Sequence, residues 1–173
     1  MQPILVKKLL KYYRTLDTLN LPPFEPRLRK LDEVDHDEIW DSQRRRWVKL
    51  TPEEWVRQHF VHYMTVTLQY PAGRVGNEVA IKVANLERRC DTVVFGNNGE
   101  PVMIVEYKAP SVTLTQQVFD QIARYNAALQ VDWLVVSNGR QHYCCHLDHQ
   151  QHRWVFLQGL PGYQELIQPL QQQ

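Results

Sequence analysis

Apolar and polar positions along this chain follow two periods in turn. Ile4, Leu5, Leu9, Tyr12, Tyr13 and Leu16 recur at helical spacing, with Lys7, Lys8, Lys11 and Arg14 between them. This predicts a short amphipathic helix over residues 4–16. It stops ahead of Leu21-Pro22-Pro23, because a residue before proline is pushed out of the helical region. Residues 27–50 predict a hairpin or meander around Ser42-Gln43-Arg44, with Trp47-Val48-Lys49-Leu50 as its last strand. A stronger helical signal begins at Thr51, a good N-cap, with Pro52 at the first helical position and Glu54 completing a capping box. Trp55, Val56, His59, Phe60, Tyr63 and Met64 then mark one face of a helix of about 18 residues, ended by Pro71-Ala72-Gly73.

Three strand-like segments follow at 79–83, 90–95 and 102–107. Gly96-Asn97-Asn98-Gly99 predicts a hairpin turn between the second and third, since Asn and Gly accept positive φ. Val102-Met103-Ile104-Val105 is a continuous apolar run, expected of a central strand covered on both faces. Residues 113–130 read as a second long helix, with Val118, Ile122, Tyr125 and Leu129 on one face. A buried strand at 133–137, an Asn138-Gly139 turn, and strands near 143–147 and 154–157 complete the pattern. The order αβββαβ predicts one mixed α/β (α+β) layer domain without internal repeats.

Composition narrows the class. A chain of 173 residues suits one domain, and 43% hydrophobic with 23% charged residues excludes wholesale disorder. No apolar run reaches the roughly 18 residues that span a bilayer, and the basic opening segment lacks the centre of a secretory signal. Three cysteines, two of them adjacent, make no disulfide framework, so a reducing cytoplasm is the expected setting. The organisation expected is an N-terminal helix and small β extension over 1–50, a core over 51–163 and a tail over 164–173.

Net charge changes the picture twice. Twenty Lys and Arg against 19 Asp and Glu leave +1, which argues against a bulk electrostatic nucleic-acid binder. The charges are nevertheless segregated. Residues 1–30 hold seven basic and two acidic side chains, 32–41 hold six acids, and Arg44, Arg45, Arg46 and Lys49 follow. Solvated turns explain this run, and so does a basic surface meeting phosphates.

The candidate chemistry centres on Val105-Glu106-Tyr107-Lys108. Glu106 and Lys108 are two apart on a strand and leave the same face. An acid-x-Lys match alone is weak, since about one is expected by chance in this composition. The 96–99 turn, however, folds Asp91 back toward Glu106 at one end of the sheet. Two converging carboxylates are a usual protein contribution to a Mg²⁺ site, and Lys108 beside them suits a water or a developing phosphorane charge. An ion pair rimming the sheet accounts for the same spacing. His142, Cys144, His146, His149 and His152 with Cys145 invite a zinc reading. Strand alternation sends the adjacent cysteines to opposite faces, though, and no Cys-x-x-Cys is present, so structural thiols and a surface His-rich turn are expected. Cys90 reads as a small buried residue, and the capping box accounts for Glu54.

Arg88-Arg89-Cys90-Asp91-Thr92-Val93-Val94-Phe95 followed by Ile104-Val105-Glu106-Tyr107-Lys108-Ala109-Pro110 resembles the PD-(D/E)XK nuclease core. More narrowly it resembles the N-terminal endonuclease domain family of type I restriction enzyme R subunits. Residues 50–58, 114–126 and 135–143 resemble the first core helix, the helix after the catalytic strand and the strand pair that follows. The motif's proline is absent, since Cys90 precedes Asp91. No helicase domain accompanies the motifs.

The resemblance implies a restriction-endonuclease-like core, a mixed sheet flanked by helices. It implies Asp91 and Glu106 as motif acids, Lys108 as catalytic lysine, Gln121 and Tyr125 as the Gln-x-x-x-Tyr element, and Glu78 as an upstream acid beside the metal. The metal implied is Mg²⁺, or Mn²⁺, on Asp91, Glu106 and the Tyr107 carbonyl, with Arg88 and Arg89 on substrate phosphates. The expected partner is nucleic acid, DNA first, with motor or modification subunits in trans, and a homodimer is one route to double-strand cleavage. The competing expectation is a nucleic-acid-binding module of the same fold that does not cut alone; a nucleotide or protein ligand is the third.

Overall fold

The computed structural model describes residues 18–30, 36–83 and 86–168. The helix predicted over 4–16 lies outside the described residues, as do Asp32, Glu33 and Asp35 of the acidic run. The predicted meander is a three-stranded antiparallel sheet of β1 (Leu28–Lys30), β2 (Asp37–Asp41) and β3 (Arg46–Lys49). Leu28 and Ile39 turn inward from it onto Leu50 and Trp55.

Helix α1 (Pro52–His62) starts where the sequence placed it, with Thr51 Oγ1 accepting from Glu54 N at 3.1 Å. The reciprocal half of the capping box does not form, because the Glu54 carboxylate is drawn elsewhere. Past His62 the helix widens into a π turn over Tyr63–Thr67. Thr65 Oγ1 donates to the carbonyls of Val61 (2.9 Å) and His62 (3.3 Å), competing with backbone donors at that point.

The main sheet has the order β4-β5-β6-β7-β8-β9, built from β4 (Val75–Val83), β5 (Leu86–Phe95), β6 (Pro101–Tyr107), β7 (Trp133–Ser137), β8 (His142–Asp148) and β9 (Arg153–Leu157). All neighbours are antiparallel except β6 and β7, which are parallel and joined through helix α2 (Gln116–Leu129). The fold is thus a mixed sheet flanked by helices in the αβββαβ order.

Two cores cover the two faces. Val56 and Phe60 of α1 and Met64 of the π turn pack with Val94, Met103, Val105, Tyr107 and Cys144. Val118 and Ile122 of α2 pack with Val93, Ile104, Val136 and Cys145. The adjacent cysteines do point to opposite faces, and all three cysteines are buried and free. No pattern predicted the short helix α3 (Tyr163–Ile167), which buries Tyr163 and Leu166 in the α1-side core. No helix among the described residues is long and apolar enough to cross a membrane.

Strand β4 begins four residues earlier than the apolar pattern indicated, because Gly76-Asn77-Glu78 has little strand character. Its ladder with β5 is paired at Asn77–Thr92 and Val79–Cys90 but interrupted between them, where Glu78 takes a φ of 57°. A left-handed glutamate inside a strand carries a backbone cost that its surroundings must overcome.

Candidate active site

Cross-strand register brings the two motif acids together. The β5–β6 ladder ends at the Thr92–Val105 pair, and Asp91 and Glu106 stand one position past it on their two strands. Alternation along β6 turns Met103, Val105 and Tyr107 to the α1 face and Ile104 to the α2 face. Glu106 therefore leaves on the α2 side, and its residual exposure is 4%.

There it meets helix α2. Lys108 Nζ donates to Glu106 Oε1 at 2.8 Å and to Gln121 Oε1 at 3.1 Å. Gln121 Nε2 donates to Glu106 Oε1 at 2.7 Å and lies 3.2 Å from the Tyr125 hydroxyl. Gln121 and Tyr125 sit one helical turn apart, so the helix presents both to the strand end.

Asp91 is held from the other helix. Arg57 Nη2 of α1 donates to Asp91 Oδ1 at 2.9 Å, while Tyr107 N donates to Asp91 Oδ2 at 2.8 Å. The same guanidinium reaches Glu54 Oε2 at 2.9 Å and Glu78 Oε1 at 2.6 Å, and Arg89 Nη1 closes on Glu78 Oε2 at 3.1 Å. Arg57 Nε is buried with no hydrogen-bond partner among the described residues. Arg44 extends the chain of charges, pairing with buried Asp41 and with Glu54 at 3.1 Å. Gln58 Nε2 also donates to Glu54, at 2.8 Å.

Two expectations are corrected here. Glu54 is a structural carboxylate at the rim of the acid cluster rather than half of a capping box. Arg44, read as part of a solvent-facing or phosphate-facing run, is turned inward and paired. No sequence motif marks Arg57 and Arg44 as site residues. The acid-x-x-Arg spacing from Glu54 to Arg57 on a helix was the available signal, whereas their link to Asp91 and Asp41 needs the fold. Arg89 pairs with Glu78 at 67% side-chain exposure, and Arg88 is exposed on the same strand opposite Ile81.

Burial and charge set the protonation of the cluster. Glu106 is pushed up to about 7, first by burial and then by the neighbouring Asp91 charge, with Lys108 opposing. Burial also raises Asp91 despite Arg57. Burial works against ionised Glu78 as well, but Arg57 and Arg89 hold it below its usual range. Among the described residues no three His, Cys, Asp or Glu side chains group as a metal cluster, the His-rich turn included. The donor set at the strand ends is two carboxylates and the Tyr107 carbonyl.

A family model described as type I restriction enzyme R protein N terminus matches residues 52–161, from the start of α1 to the residues just ahead of α3. The chain belongs to this family. The matched span contains every residue of the cluster except Arg44 and Asp41, which come from the small sheet. No curated protein matches this chain. Among solved structures it is similar to a fragment from Vibrio vulnificus YJ016 assigned as an HsdR subunit of a type I restriction enzyme, at 17% identity and a TM-score of 0.41. That match covers 53% of this chain and 19% of the other, so this chain spans about a fifth of its length.

Proposed function

We propose that the protein is a metal-dependent phosphodiesterase that cuts DNA, with Asp91, Glu106 and Lys108 as its reacting centre. The observation that carries this reading is the bond set of Lys108, whose ammonium is held by Glu106 at 2.8 Å and by Gln121 at 3.1 Å. An ammonium has three donors, so a third is left for an attacking water or a phosphoryl oxygen.

The donor set fits Mg²⁺, or Mn²⁺, which is commonly held by one or two carboxylates and otherwise by water and substrate phosphate. Asp91, Glu106 and the Tyr107 carbonyl are the residues that would hold it. Burial and the Asp91 charge push Glu106 up to about 7, and a bound cation would favour its ionised form. What a divalent cation supplies there when bound is Lewis-acid polarisation of a phosphoryl oxygen. Lys108 orients the nucleophile, Gln121 fixes Lys108 against Glu106, and Tyr125 steadies Gln121. Arg89 and Arg88 flank Asp91 on β5, where backbone phosphates of the substrate would pass.

Supercoiled plasmid with Mg²⁺ or Mn²⁺ tests the assignment. Wild type nicks it, and Lys108→Ala and Glu106→Ala do not. A Lys108→Ala protein that cuts at the wild-type rate ends this reading.

One observation favours a second, partner-dependent form of it. Both Asp91 oxygens already accept protein N–H groups, one from a buried arginine, so the cluster is neutralised internally. In that form DNA is bound but cut only when motor or modification subunits are supplied.

A further inference from the structure

The cations of the cluster are nearly all spent on its own acids. Arg57, Arg44, Arg89 and Lys108 each pair with a carboxylate, so the cluster offers a polyanion little attraction beyond the exposed Arg88 and a further basic surface is needed. The outer face of the small sheet gathers three further cations around a single acid among the described residues. Opposite the apolar side, the β1–β2–β3 register aligns Arg29 with Glu38 and Glu38 with Lys49, and Trp40 with Trp47 in the next row. Arg27, immediately ahead of β1, shares this face. Its guanidinium carbon lies 5.0 Å from the Trp40 ring centre and 5.6 Å from that of Trp47. The Arg29 guanidinium stacks on Trp47 at 4.5 Å while keeping an ion pair with Glu38. The two tryptophans meet edge to face at 5.5 Å. Arg27 and Lys49 are exposed, and Glu38 is the one acid on this face among the described residues.

Stacking uses the π-face of a guanidinium and leaves its N–H edges pointing outward, the geometry that accepts phosphate. It also holds the side chain in place before any ligand arrives, lowering the entropy lost on binding. Three cations against one acid, two of them held on an indole platform, complement a phosphodiester backbone.

We propose that this outer face, Arg27, Arg29 and Lys49 over Trp40 and Trp47, is a nucleic-acid-backbone contact surface separate from the acid cluster. It extends the function proposed above by naming where the substrate is held, but needs neither metal nor Lys108. The Asp41–Arg44–Glu54–Arg57 chain of ion pairs ties the same sheet to Asp91, so nucleic acid gripped here is held in fixed relation to the candidate centre.

The test is fluorescence anisotropy of the full chain with a labelled mixed-sequence duplex in EDTA, across a salt series. Each phosphate contact contributes about 0.9 to the slope of log K against log salt, so Arg27→Gln with Lys49→Gln is expected to lower the slope by about 2. Trp47→Leu frees the arginines without removing charge, and is expected to weaken binding severalfold with the slope kept. Arg153→Gln, on β9, is expected to match wild type. A slope unchanged in the double variant overturns the proposal, and so does stronger binding of wild type to phosphatidylserine vesicles than to the duplex. Because cleavage is not read, loss of activity in Lys108→Ala neither supports nor sinks this surface.

Discussion

Arg57 Nη2 lies 2.9 Å from Asp91 Oδ1, joining helix α1 to strand β5 through an arginine that is only 5% exposed. Glu106, the other acid, is held from the opposite side by Gln121 of α2. The two carboxylates therefore meet at the sheet end while each answers to a different helix. Their separation depends on how α1 and α2 pack against the sheet, and not on the β5–β6 hairpin alone.

Arg57→Leu is expected to cost about 3–5 kcal/mol, because it leaves Glu54, Glu78 and Asp91 facing one another without their shared counter-ion. Urea denaturation at pH 7 in EDTA measures it. Arg57→Lys, which keeps the charge but not the planar fork, should lose less. A Leu variant within about 1 kcal/mol of wild type would place the network in the class of weak surface pairs.

Gln121 and Tyr125 should differ in consequence. Gln121 bonds both Glu106 and Lys108, so Gln121→Ala is expected to lower plasmid nicking by about 10–100-fold. Among the described residues Tyr125 reaches the pair through Gln121, and Tyr125→Phe should cost less. An equal or larger loss for Tyr125→Phe would mean that its hydroxyl meets substrate directly.

Glu106 makes metal-free stability depend on pH in a stated direction. An acid whose folded pKa is raised holds its proton in the folded state between its ordinary value and about 7. The folded state then binds more protons than the unfolded state, so stability falls as pH rises from roughly 4.5 through about 7. His142, which burial lowers, works in the opposite sense below its ordinary value, so the comparison must be a difference. Wild type minus Glu106→Gln, followed by urea midpoints in EDTA from pH 5 to pH 8, isolates the slope; a flat difference refutes it.

Gly139 is held at φ 80°, and a Cβ there would stand 2.6 Å from Leu19 Cδ2 and 3.1 Å from Val56 Cγ2. Its carbonyl accepts from Asn20 N at 2.7 Å, fastening the segment ahead of the small sheet to the β7–β8 turn. Gly139→Ala combines backbone strain with a clash and is expected to cost about 1–3 kcal/mol. Thermal unfolding reads this, and an unchanged midpoint would mean that the 18–20 segment moves aside without penalty.

How far the sequence carried depends on the range of the interaction. Period-2 and period-3.6 patterns, Thr51-Pro52, Gly96–Gly99 and Asn138-Gly139 are local signals, and within the described residues the elements they predict are present with shifted ends. The early start of β4 is hidden because Gly76-Asn77-Glu78 carries none of the β-branched or aromatic residues that mark a strand. Helix α3 was hidden because two buried positions, Tyr163 and Leu166, are too few to show a period.

The candidate centre divides the same way. Glu106 and Lys108 are neighbours in sequence, Gln121 and Tyr125 share a helix turn, and the hairpin turn places Asp91 near Glu106; all of that follows from chain geometry over a few residues. Nothing local says that Arg57 reaches 34 residues ahead to Asp91, that Glu54 abandons its cap for Arg44 and Arg57, or that Arg27 lies across tryptophans from two other strands. The sequence by itself determined the elements, their order and the residue types at the sheet end, because backbone propensity and side-chain alternation act over short spans. Only the tertiary structure decided which charges are paired and which are left for a ligand, because that depends on which faces the packing of α1, α2 and the small sheet brings within a few ångströms of one another.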